Sequence, residues 1–384
     1  MKVTVAIDSF KGSLSSLEAG LAAKAGVLKI YPDADVRVCP MADGGEGTAR
    51  TLVDALRGEY VSLAVSDPLG RAIVAEYGYI PDQKTAVIEM ASASGITLIG
   101  AEERDLMKTS TFGTGEIIKD AILRGCRRFI IGIGGSATND GGVGMLEALG
   151  FRFLDAKGDP VPRGAQGLAS LVRIENKSVM SELAECSFTV ACDVANPLCG
   201  EHGCSAVYGP QKGADAEQIE KMDVWLANFA ELTKEMNPDA DPDYPGAGAA
   251  GGMGFALLSY LNARLTSGIL LVMNEVGLEA EIADSDFVIT GEGRLDGQSL
   301  MGKVPVGVAG LAKKYGKTTL AFSGAVTKDA EILNAYGIDA FFPILRQVCT
   351  LEEAMNIENA AENLQKTVAQ VFGLIKAMEE KKNA

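Results

Sequence analysis

Apolar strands alternate with helical patterns near both ends of the chain, and this alternation constrains the fold more than any other feature. Residues 3–8 predict a strand, residues 15–31 a helix with Ser15 or Ser16 as its N-cap, and residues 34–40 a second strand. The last hundred residues repeat the rhythm with three further strands. Strands joined by helices form parallel sheets through crossover connections. Both ends of the chain therefore predict α/β structure.

The middle of the chain has a different pattern. Three short strands, VSLAV, AIVAEYGYI and TAVIEM, follow one another between about residues 60 and 89 without a helix. Such strands do not fit a doubly wound sheet, and a chain of 384 residues favours two domains. We therefore predict a discontinuous Rossmann-like α/β domain with a parallel sheet, residues 1–61 plus 285–384, and a second, mixed α/β domain, residues 62–284, inserted into it. We expect the active site in the cleft between them.

The charge and the cysteine content exclude several classes of protein. The formal net charge is -16 and no basic stripe is present, so we expect neither nucleic acid nor an anionic membrane surface as a partner. No apolar run is long enough to span a bilayer, and Met1 leads directly into a strand rather than into a signal peptide. Seven cysteines cannot all pair with one another, which favours reduced thiols and a cytoplasmic protein. No pattern in the sequence sets an oligomeric state.

Four glycine-rich clusters carry acidic or cationic side chains. They read PMADGGEGT (40–48), GIGGSATNDGG (132–142), GAGAAGGMG (246–254) and TGEGRLDGQS (290–299). Glycine lets the backbone approach a ligand and turn its amide hydrogens toward an anion. Carboxylates in the same loops repel a bare phosphate unless a divalent cation lies between the two. The combination favours a metal-bridged phosphate, as in a nucleotide-dependent kinase.

Charged side chains follow the ends of several predicted strands. Asp8 lies at the carboxyl end of the first strand and Lys11 in the following turn, where ligands bind in open α/β sheets. Asp43 has the same position after the second strand, while Glu46 fits the first turn of an ordinary helix. Asp193 ends an apolar strand, so its carboxylate would emerge at the edge of a cleft. We expect ligand contacts at these strand ends.

The cluster at residues 132–142 supports a competing hypothesis. Gly132, Gly134 and Ala137 satisfy the dinucleotide fingerprint G-x-G-x-x-A, and Asp155 lies near the spacing of a ribose-binding acid. A single match in a chain with 45 glycines is weak evidence, and the residues around Asp155 predict a turn. A dinucleotide-dependent oxidoreductase that uses the GIGGSA loop and a non-catalytic anion-binding protein both stay open as alternatives at this point.

The last glycine cluster is the best metal site in the sequence. Glu292, Arg294 and Asp296 place two carboxylates and a guanidinium in one loop, which suits a charge-balanced site bridged by Mg²⁺. Two other motifs fail. The cysteines and the one histidine lack the paired spacing of structural zinc sites. The segment AKKYGKTTL lacks the first glycine of a P-loop and runs from helix to strand.

Six segments together resemble the bacterial glycerate kinase family, in order and over essentially the whole chain. They are DSFKGSLSS, PMADGGEGT, GIGGSATNDGG, CDVANPLCG with GPQKGA, GAGAAGGMG, and TGEGRLDGQSLMGKVP. The resemblance implies ATP-dependent phosphorylation of D-glycerate, with 2-phosphoglycerate as the product. It also implies a two-domain α/β fold, in which a second domain is inserted into a Rossmann-like one.

The resemblance and the residue types together give hypotheses for the site. A cation must hold the carboxylate of glycerate, a base must activate its hydroxyl, and Mg²⁺ must bridge the phosphates of the co-substrate ATP. The predicted catalytic residues are Asp193 as the general base, Lys11 and Arg294. The predicted substrate-binding residues are Asp8, Lys11, Asp43, Arg71, Ser136, Asn139, Asp140 and Arg294. The predicted nucleotide-binding residues are Gly134, Gly135, Gly251, Gly252, Gly291, Gly293 and Lys303, and the predicted metal ligands are Asp296 and Glu292.

Overall fold

The computed structural model describes residues 1–45, 47–300 and 302–382, so Glu46 lies outside the described residues. The strands are β1 (Lys2–Ile7), β2 (Asp35–Val38), β3 (Glu59–Ser66), β4 (Ala72–Ile80), β5 (Thr85–Glu89), β6 (Arg128–Gly132), β7 (Arg152–Leu154), β8 (Arg173–Glu175), β9 (Ser187–Ala191), β10 (Arg264–Thr266), β11 (Phe287–Leu295), β12 (Thr318–Val326) and β13 (Ala340–Pro343). The helices are α1 (Ser16–Ile30), α2 (Thr48–Leu56), α3 (Ala91–Ser94), α4 (Phe112–Leu123), α5 (Val143–Ala148), α6 (Ala165–Leu168), α7 (Cys204–Tyr208), α8 (Ala216–Met236), α9 (Ala249–Leu261), α10 (Gly268–Glu275), α11 (Leu278–Ala283), α12 (Val304–Lys314), α13 (Leu351–Met355) and α14 (Ile357–Lys382).

The chain divides into two compact units. The first unit contains Met1–Asp43, Arg50–Leu56 and the chain from Ile269 onward. The second unit contains Gly44–Ala49 and Arg57–Gly268. The predicted fold class, a discontinuous α/β unit with a second α/β unit inserted into it, is confirmed. The predicted domain boundaries stay a prediction.

The first unit is built on a five-stranded parallel sheet in the order β13-β12-β11-β1-β2. Val3 in β1 pairs with Phe287 in β11 on one side and with Val36 in β2 on the other. This is the flavodoxin-like doubly wound order, and the strand order reverses between β1 and β11. Ligands of such sheets bind in the crevice beyond the carboxyl ends of the strands at this switch point.

Helices cover both faces of the parallel sheet, which explains why its strands are continuous apolar runs. Ile289 and Phe322 are fully buried on one face, in a cluster that includes side chains of α1 and α14. Ala321, the neighbour of Phe322 in β12, packs on the other face with Ala309 of α12. Ser15 caps α1 in a capping box with Glu18, so one of the two predicted N-caps is confirmed.

The second unit contains a six-stranded mixed sheet in the order β10-β9-β6-β5-β4-β3 and a two-stranded sheet of β7 and β8. Strands β3, β4 and β5 pair antiparallel, whereas β5, β6, β9 and β10 are parallel neighbours. The three successive strands predicted without a helix are therefore confirmed. Phe129 in β6 stacks on Phe188 in β9, with ring centroids 4.7 Å apart, in the core of this unit.

One local prediction, a loop that holds Glu292, Arg294 and Asp296, was wrong in part. Strand β11 does not end at Thr290 but continues to Leu295, which places Glu292 and Arg294 on a strand rather than in a loop. The extension forms because β11 stays paired with β12 as far as Leu295 and Val326. Residues Lys328–Tyr336, between β12 and β13, form a 3-10 helix. None of the described helices is long and apolar enough to cross a membrane.

Candidate active site

A pocket of about 500 Å³ in the first unit gathers most of the charged residues that the sequence singles out. We call it the switch-point pocket, because Asp8 follows β1 and Glu292 lies in β11, the two strands between which the order reverses. Among the described residues, its lining contains four carboxylates and three cations. They are Asp8, Asp43, Glu292, Asp296, Lys11, Arg294 and Lys303.

Two acidic side chains of the switch-point pocket, Asp8 and Glu292, have raised pKa values. Asp8 is 7% exposed, and its Oδ1 accepts a hydrogen bond of 2.6 Å from the Ser9 N–H. Burial, together with the negative charges of Asp43 and Glu292, raises the pKa of Asp8 to about 7. Burial also raises the pKa of Glu292, although hydrogen bonds from Ser299 and Lys303 oppose the shift. The pocket therefore holds negative charge that a bound cation would stabilise.

Two cations partly neutralise these carboxylates. The Lys303 Nζ lies 3.3 Å from Glu292 Oε2 and 3.9 Å from Asp296 Oδ1. The Arg294 Nε lies 3.3 Å from Asp296 Oδ2, while 66% of the Arg294 side chain is exposed. The described residues contain no group of three acidic, histidine or cysteine side chains arranged to hold a metal ion. Carboxylate oxygens and raised acid pKa values nevertheless fit a hard divalent cation such as Mg²⁺.

Asp8→Asn should stabilise the protein at high pH, in buffer with EDTA. Because the folded-state pKa is raised, the contribution of the protonated Asp8 to stability is fully present below its ordinary pKa of 3.8 and is lost as the pH rises through about 7. Asparagine keeps the acceptor for the Ser9 N–H and carries no charge. We expect a gain on the order of 2 kcal/mol at pH 8 that shrinks toward pH 4.5. Thermal melting at both pH values measures this gain, and Asp33→Asn, an exposed substitution, is the control. Equal shifts in melting temperature at both pH values would contradict the prediction.

A second pocket, of about 440 Å³, lies in the second unit beyond the carboxyl ends of β6 and β9. We call it the glycine-loop pocket. Its lining includes Gly134, Gly135 and Ser136 from the loop after β6, and Asp193 after β9. Among the described residues, its charged groups are two cations and one carboxylate. They are Arg104, Lys212 and Asp193.

Asp193 is held at the edge of the glycine-loop pocket by a backbone contact. The Gly268 N–H donates to Asp193 Oδ1 over 3.0 Å. Gly44 passes close to both residues with a φ of +92°; a Cβ there would lie 2.5 Å from the Gly268 Cα and 3.3 Å from Asp193 Oδ2. The PMADGGEGT cluster thus needs glycine at this position because the backbone packs against the Asp193 segment.

Asp140 and Asn139 lie in the interior rather than on the lining of the glycine-loop pocket. The Asp140 carboxylate accepts hydrogen bonds from the Thr111 N–H and hydroxyl and from two N–H groups of the chain that follows it, Gly142 and Gly144. Burial raises the pKa of Asp140, and these hydrogen bonds oppose the shift. The Asn139 Nδ2 donates to Ser205 Oγ over 2.9 Å. Both side chains hold the loop in place.

The remaining predicted glycines have different structural roles. Ala250, Gly251 and Gly252 at the start of α9 all have left-handed backbone conformations. A Cβ on Gly251 would lie 2.1 Å from the Thr138 carbonyl oxygen, so Gly251 packs against the glycine loop rather than facing open space. Gly291 likewise packs against a neighbouring strand in the sheet of the first unit, whereas Gly293 lines the switch-point pocket.

Arg71 is a further predicted residue outside the pocket linings, and the sequence analysis missed two cations of the glycine-loop pocket, Arg104 and Lys212. Within the described part of the chain, neither pocket lining includes Arg71, whose guanidinium donates to Asp67 over 2.6 Å and to Glu103 over 2.7 Å. Lys212 lines the glycine-loop pocket and is 3% exposed. Its one signal in the sequence was its place in GPQKGA, a segment of the family resemblance.

Two α/β units, each with a polar pocket beyond the carboxyl ends of parallel strands, define a protein of the class that acts on small polar ligands. Comparison with known proteins is more specific. Residues 3–376 match the model of the Glycerate kinase family. The chain belongs to this family, and it is an enzyme of the phosphotransferase class.

The similarity to individual proteins extends over whole chains. A glycerate kinase of Haemophilus influenzae is 45% identical over 97% of this chain and 100% of that protein. The glycerate 2-kinase of Escherichia coli strain K12 is 46% identical over 96% of this chain and 98% of that protein. A crystal structure of a provisionally named glycerate kinase 2 from Salmonella typhimurium LT2 matches with a TM-score of 0.91 and 46% identity, over 99% of each chain. These comparisons confirm the kinase prediction and give no support to the oxidoreductase alternative.

Proposed function

We propose that the protein transfers the γ-phosphoryl group of ATP to the 2-hydroxyl of D-glycerate, with Mg²⁺ as the assisting ion. The observation that carries the proposal is the full-length similarity to glycerate kinases, among them a relative named glycerate 2-kinase. The distribution of charge between the two pockets supports separate binding sites for the nucleotide and for the acceptor. The pocket rich in carboxylates suits a metal–polyphosphate complex, and the pocket with excess positive charge suits a small organic anion.

The switch-point pocket is the proposed site of the triphosphate. Lys11, Arg294 and Lys303 would contact its oxygens, because cationic side chains form strong charge-assisted hydrogen bonds with phosphate oxygens. The four carboxylates of the pocket are the proposed ligands of Mg²⁺, with Asp296 and Glu292 as first choices. When bound, Mg²⁺ neutralises the negative charge that develops on the transferred phosphoryl group. This proposal moves Asp8, Asp43, Lys11 and Arg294 from the substrate to the nucleotide.

An apolar wall in the same pocket supports the nucleotide assignment. Phe10, Ile344, Leu345, Leu351 and Met355 line the switch-point pocket beside its charged residues. A nucleotide needs both surfaces, since its phosphates are charged and its base has large apolar faces. The sheet order adds to this support, because the switch point is the usual nucleotide crevice of doubly wound sheets.

The glycine-loop pocket is the proposed site of the acceptor. Asp193 would accept the proton of the attacking hydroxyl as general base, and it stands exposed at a strand end where such a contact is possible. The amides of Gly134 and Gly135 and the hydroxyl of Ser136 would orient the acid and its hydroxyl groups. Gly134 and Gly135, predicted to bind the nucleotide, are thus proposed to bind the acceptor instead.

Phosphorus NMR of the purified protein with ATP, Mg²⁺ and D-glycerate tests the proposed function. We expect ADP and a 2-phosphoglycerate resonance that disappear when EDTA replaces the metal. A 3-phosphoglycerate resonance would contradict the proposed position of transfer, and product formation without metal would contradict the role of Mg²⁺. No product from the folded protein would contradict the function as a whole.

Asp296→Asn should weaken the dependence of the reaction rate on Mg²⁺ while the fold stays intact. The asparagine oxygen still accepts the hydrogen bond that the Gln298 N–H donates to Asp296 Oδ1, but the side chain loses its charge. We expect the Mg²⁺ concentration for half-maximal rate to rise roughly tenfold. A metal titration at saturating ATP measures it, with Asp33→Asn, an exposed substitution in the same unit, as the control. An unchanged titration would remove Asp296 from the metal ligands.

A further inference from the structure

Lys212 is a buried cation in the glycine-loop pocket. It ends the 3-10 helix Pro210–Lys212 and is 3% exposed. Its Nζ donates to Ser136 Oγ over 2.7 Å and to the Thr138 carbonyl oxygen over 2.8 Å. Both acceptors are uncharged. Because an ammonium group has three N–H donors, these two contacts leave one donor for a further partner.

Within the described part of the chain, the charge of Lys212 has no ion-pair partner. Among the described residues, none has a carboxylate within ion-pair distance of the Nζ, and Asp140, whose charge acts on Lys212, already accepts hydrogen bonds from Thr111 and from backbone N–H groups. Burial lowers the pKa of Lys212 to about 8, while Cys204 and Asp140 oppose the shift. A buried ammonium group without a counterion is unfavourable. An anionic ligand in the pocket would supply that counterion.

The surroundings of Lys212 indicate which anion it meets. Arg104, the other cation of the lining, has a buried Nε without a partner among the described residues. Of the residues that the structure describes, two cations and one carboxylate, Asp193, line the pocket together with glycine amides and a hydroxyl. This arrangement fits a small acid with one carboxylate and neighbouring hydroxyl groups better than a polyphosphate. The switch-point pocket of the first unit is the separate proposed site of the polyphosphate.

We propose that Lys212 binds the carboxylate of the acceptor acid and so selects an acid over a neutral polyol. This inference rests on the proposed function, since it names a contact for the proposed acceptor. In the absence of the ligand, the Ser136 hydroxyl and the Thr138 carbonyl hold the ammonium group in position. A purely structural lysine would need only these two contacts, which an uncharged donor could also make. The charge of Lys212 is therefore what the experiment must test.

Lys212→Met tests the contact through the Michaelis constants of the two substrates. We expect the KM for D-glycerate to rise on the order of 100-fold, as for loss of one partner of a buried charge pair, with the KM for ATP changed by less than about threefold. Lys212→Arg should restore part of the loss. Lys157→Met, in an exposed turn of the same unit, is the matched control. An unchanged KM for D-glycerate, or an equal rise for both substrates, would overturn the proposal.

The pH dependence of the wild-type enzyme provides a second readout that needs no variant to fold. Anion binding requires protonated Lys212, so the KM for D-glycerate should be constant below about pH 8 and rise as the pH increases further. Cys204 and Asp140 are the titratable groups whose charges act on Lys212, and burial raises both of their pKa values. Lys212→Arg should make the profile flat. A wild-type KM that stays flat to pH 9.5 would overturn the proposal. Absence of any D-glycerate phosphorylation by the wild type would instead overturn the proposed function.

Discussion

Asp193→Asn should lower the kcat for D-glycerate phosphorylation by on the order of 100-fold or more, with little change in the KM for ATP. The amide cannot accept the proton of the attacking hydroxyl, so the loss falls on the chemical step. The fold should survive, because the asparagine oxygen can still accept the hydrogen bond that the Gly268 N–H donates to Asp193 Oδ1. Steady-state kinetics with both substrates measure the change.

Asp82→Asn is the matched control for this variant, since Asp82 is an exposed aspartate in the same unit. It should leave kcat unchanged. A pH–rate profile adds a separate readout, because a general base gives a rate that falls at low pH, and Asp193→Asn should remove that fall. Near-normal turnover of Asp193→Asn would show that the proton leaves by another route.

Asp140→Ala should be the most destabilising substitution in the glycine loop. The change removes the acceptor of the N–H groups of Thr111, Gly142 and Gly144, and it opens a cavity where the carboxylate was fully buried. Each orphaned buried donor costs about 1–3 kcal/mol, so we expect a loss on the order of 4 kcal/mol. The melting temperature of the protein measures it.

Asp155→Ala is the control for Asp140→Ala. Asp155 also accepts two backbone hydrogen bonds, from the N–H groups of Lys157 and Asp159, but it does so in a solvent-exposed turn. We expect it to cost about 1 kcal/mol, because water replaces the lost acceptor. Equal shifts for both variants would show that burial of the loop contributes little. Unchanged kinase activity of Asp155→Ala would also agree with the absence of a ribose-binding role.

The sequence predicts the elements of the first unit well because each one is encoded locally. The apolar runs at β1 and β12 and the capping box of Ser15 can be recognised without knowledge of their neighbours. The strand order cannot, since adjacent strands such as β1 and β11 come from distant parts of the chain. The end of β11 was misplaced for the same reason. Glycines that predict a loop in isolation continue a strand when β12 pairs with them.

The sequence predicts those residues of the candidate site that follow the end of a strand. It does not predict those whose proposed role depends on burial in the fold. Asp8 follows β1 directly and Asp193 lies two residues after the end of β9, so a strand-end rule finds both. Lys212 stands in a polar segment and looks like a surface lysine until the fold buries it. Gly251 shows the reverse case. The sequence predicts a nucleotide contact for Gly251, and the fold adds a packing role, because its missing side chain makes room for the Thr138 carbonyl.

The discontinuity of the first unit has a consequence for synthesis of the chain. Strand β1 has its partner β11 about 284 positions later, as the bond between Lys2 and Asp286 illustrates. A ribosome that adds 5–20 residues per second needs roughly 15 to 60 s to bring out that partner. Meanwhile Arg57–Gly268, most of the second unit, has already emerged and can fold. Strand β2, the other neighbour of β1, emerges early, so we expect the nascent chain to expose only the β11 edge of β1 for most of its translation. This open, apolar edge is the natural target for a ribosome-associated chaperone.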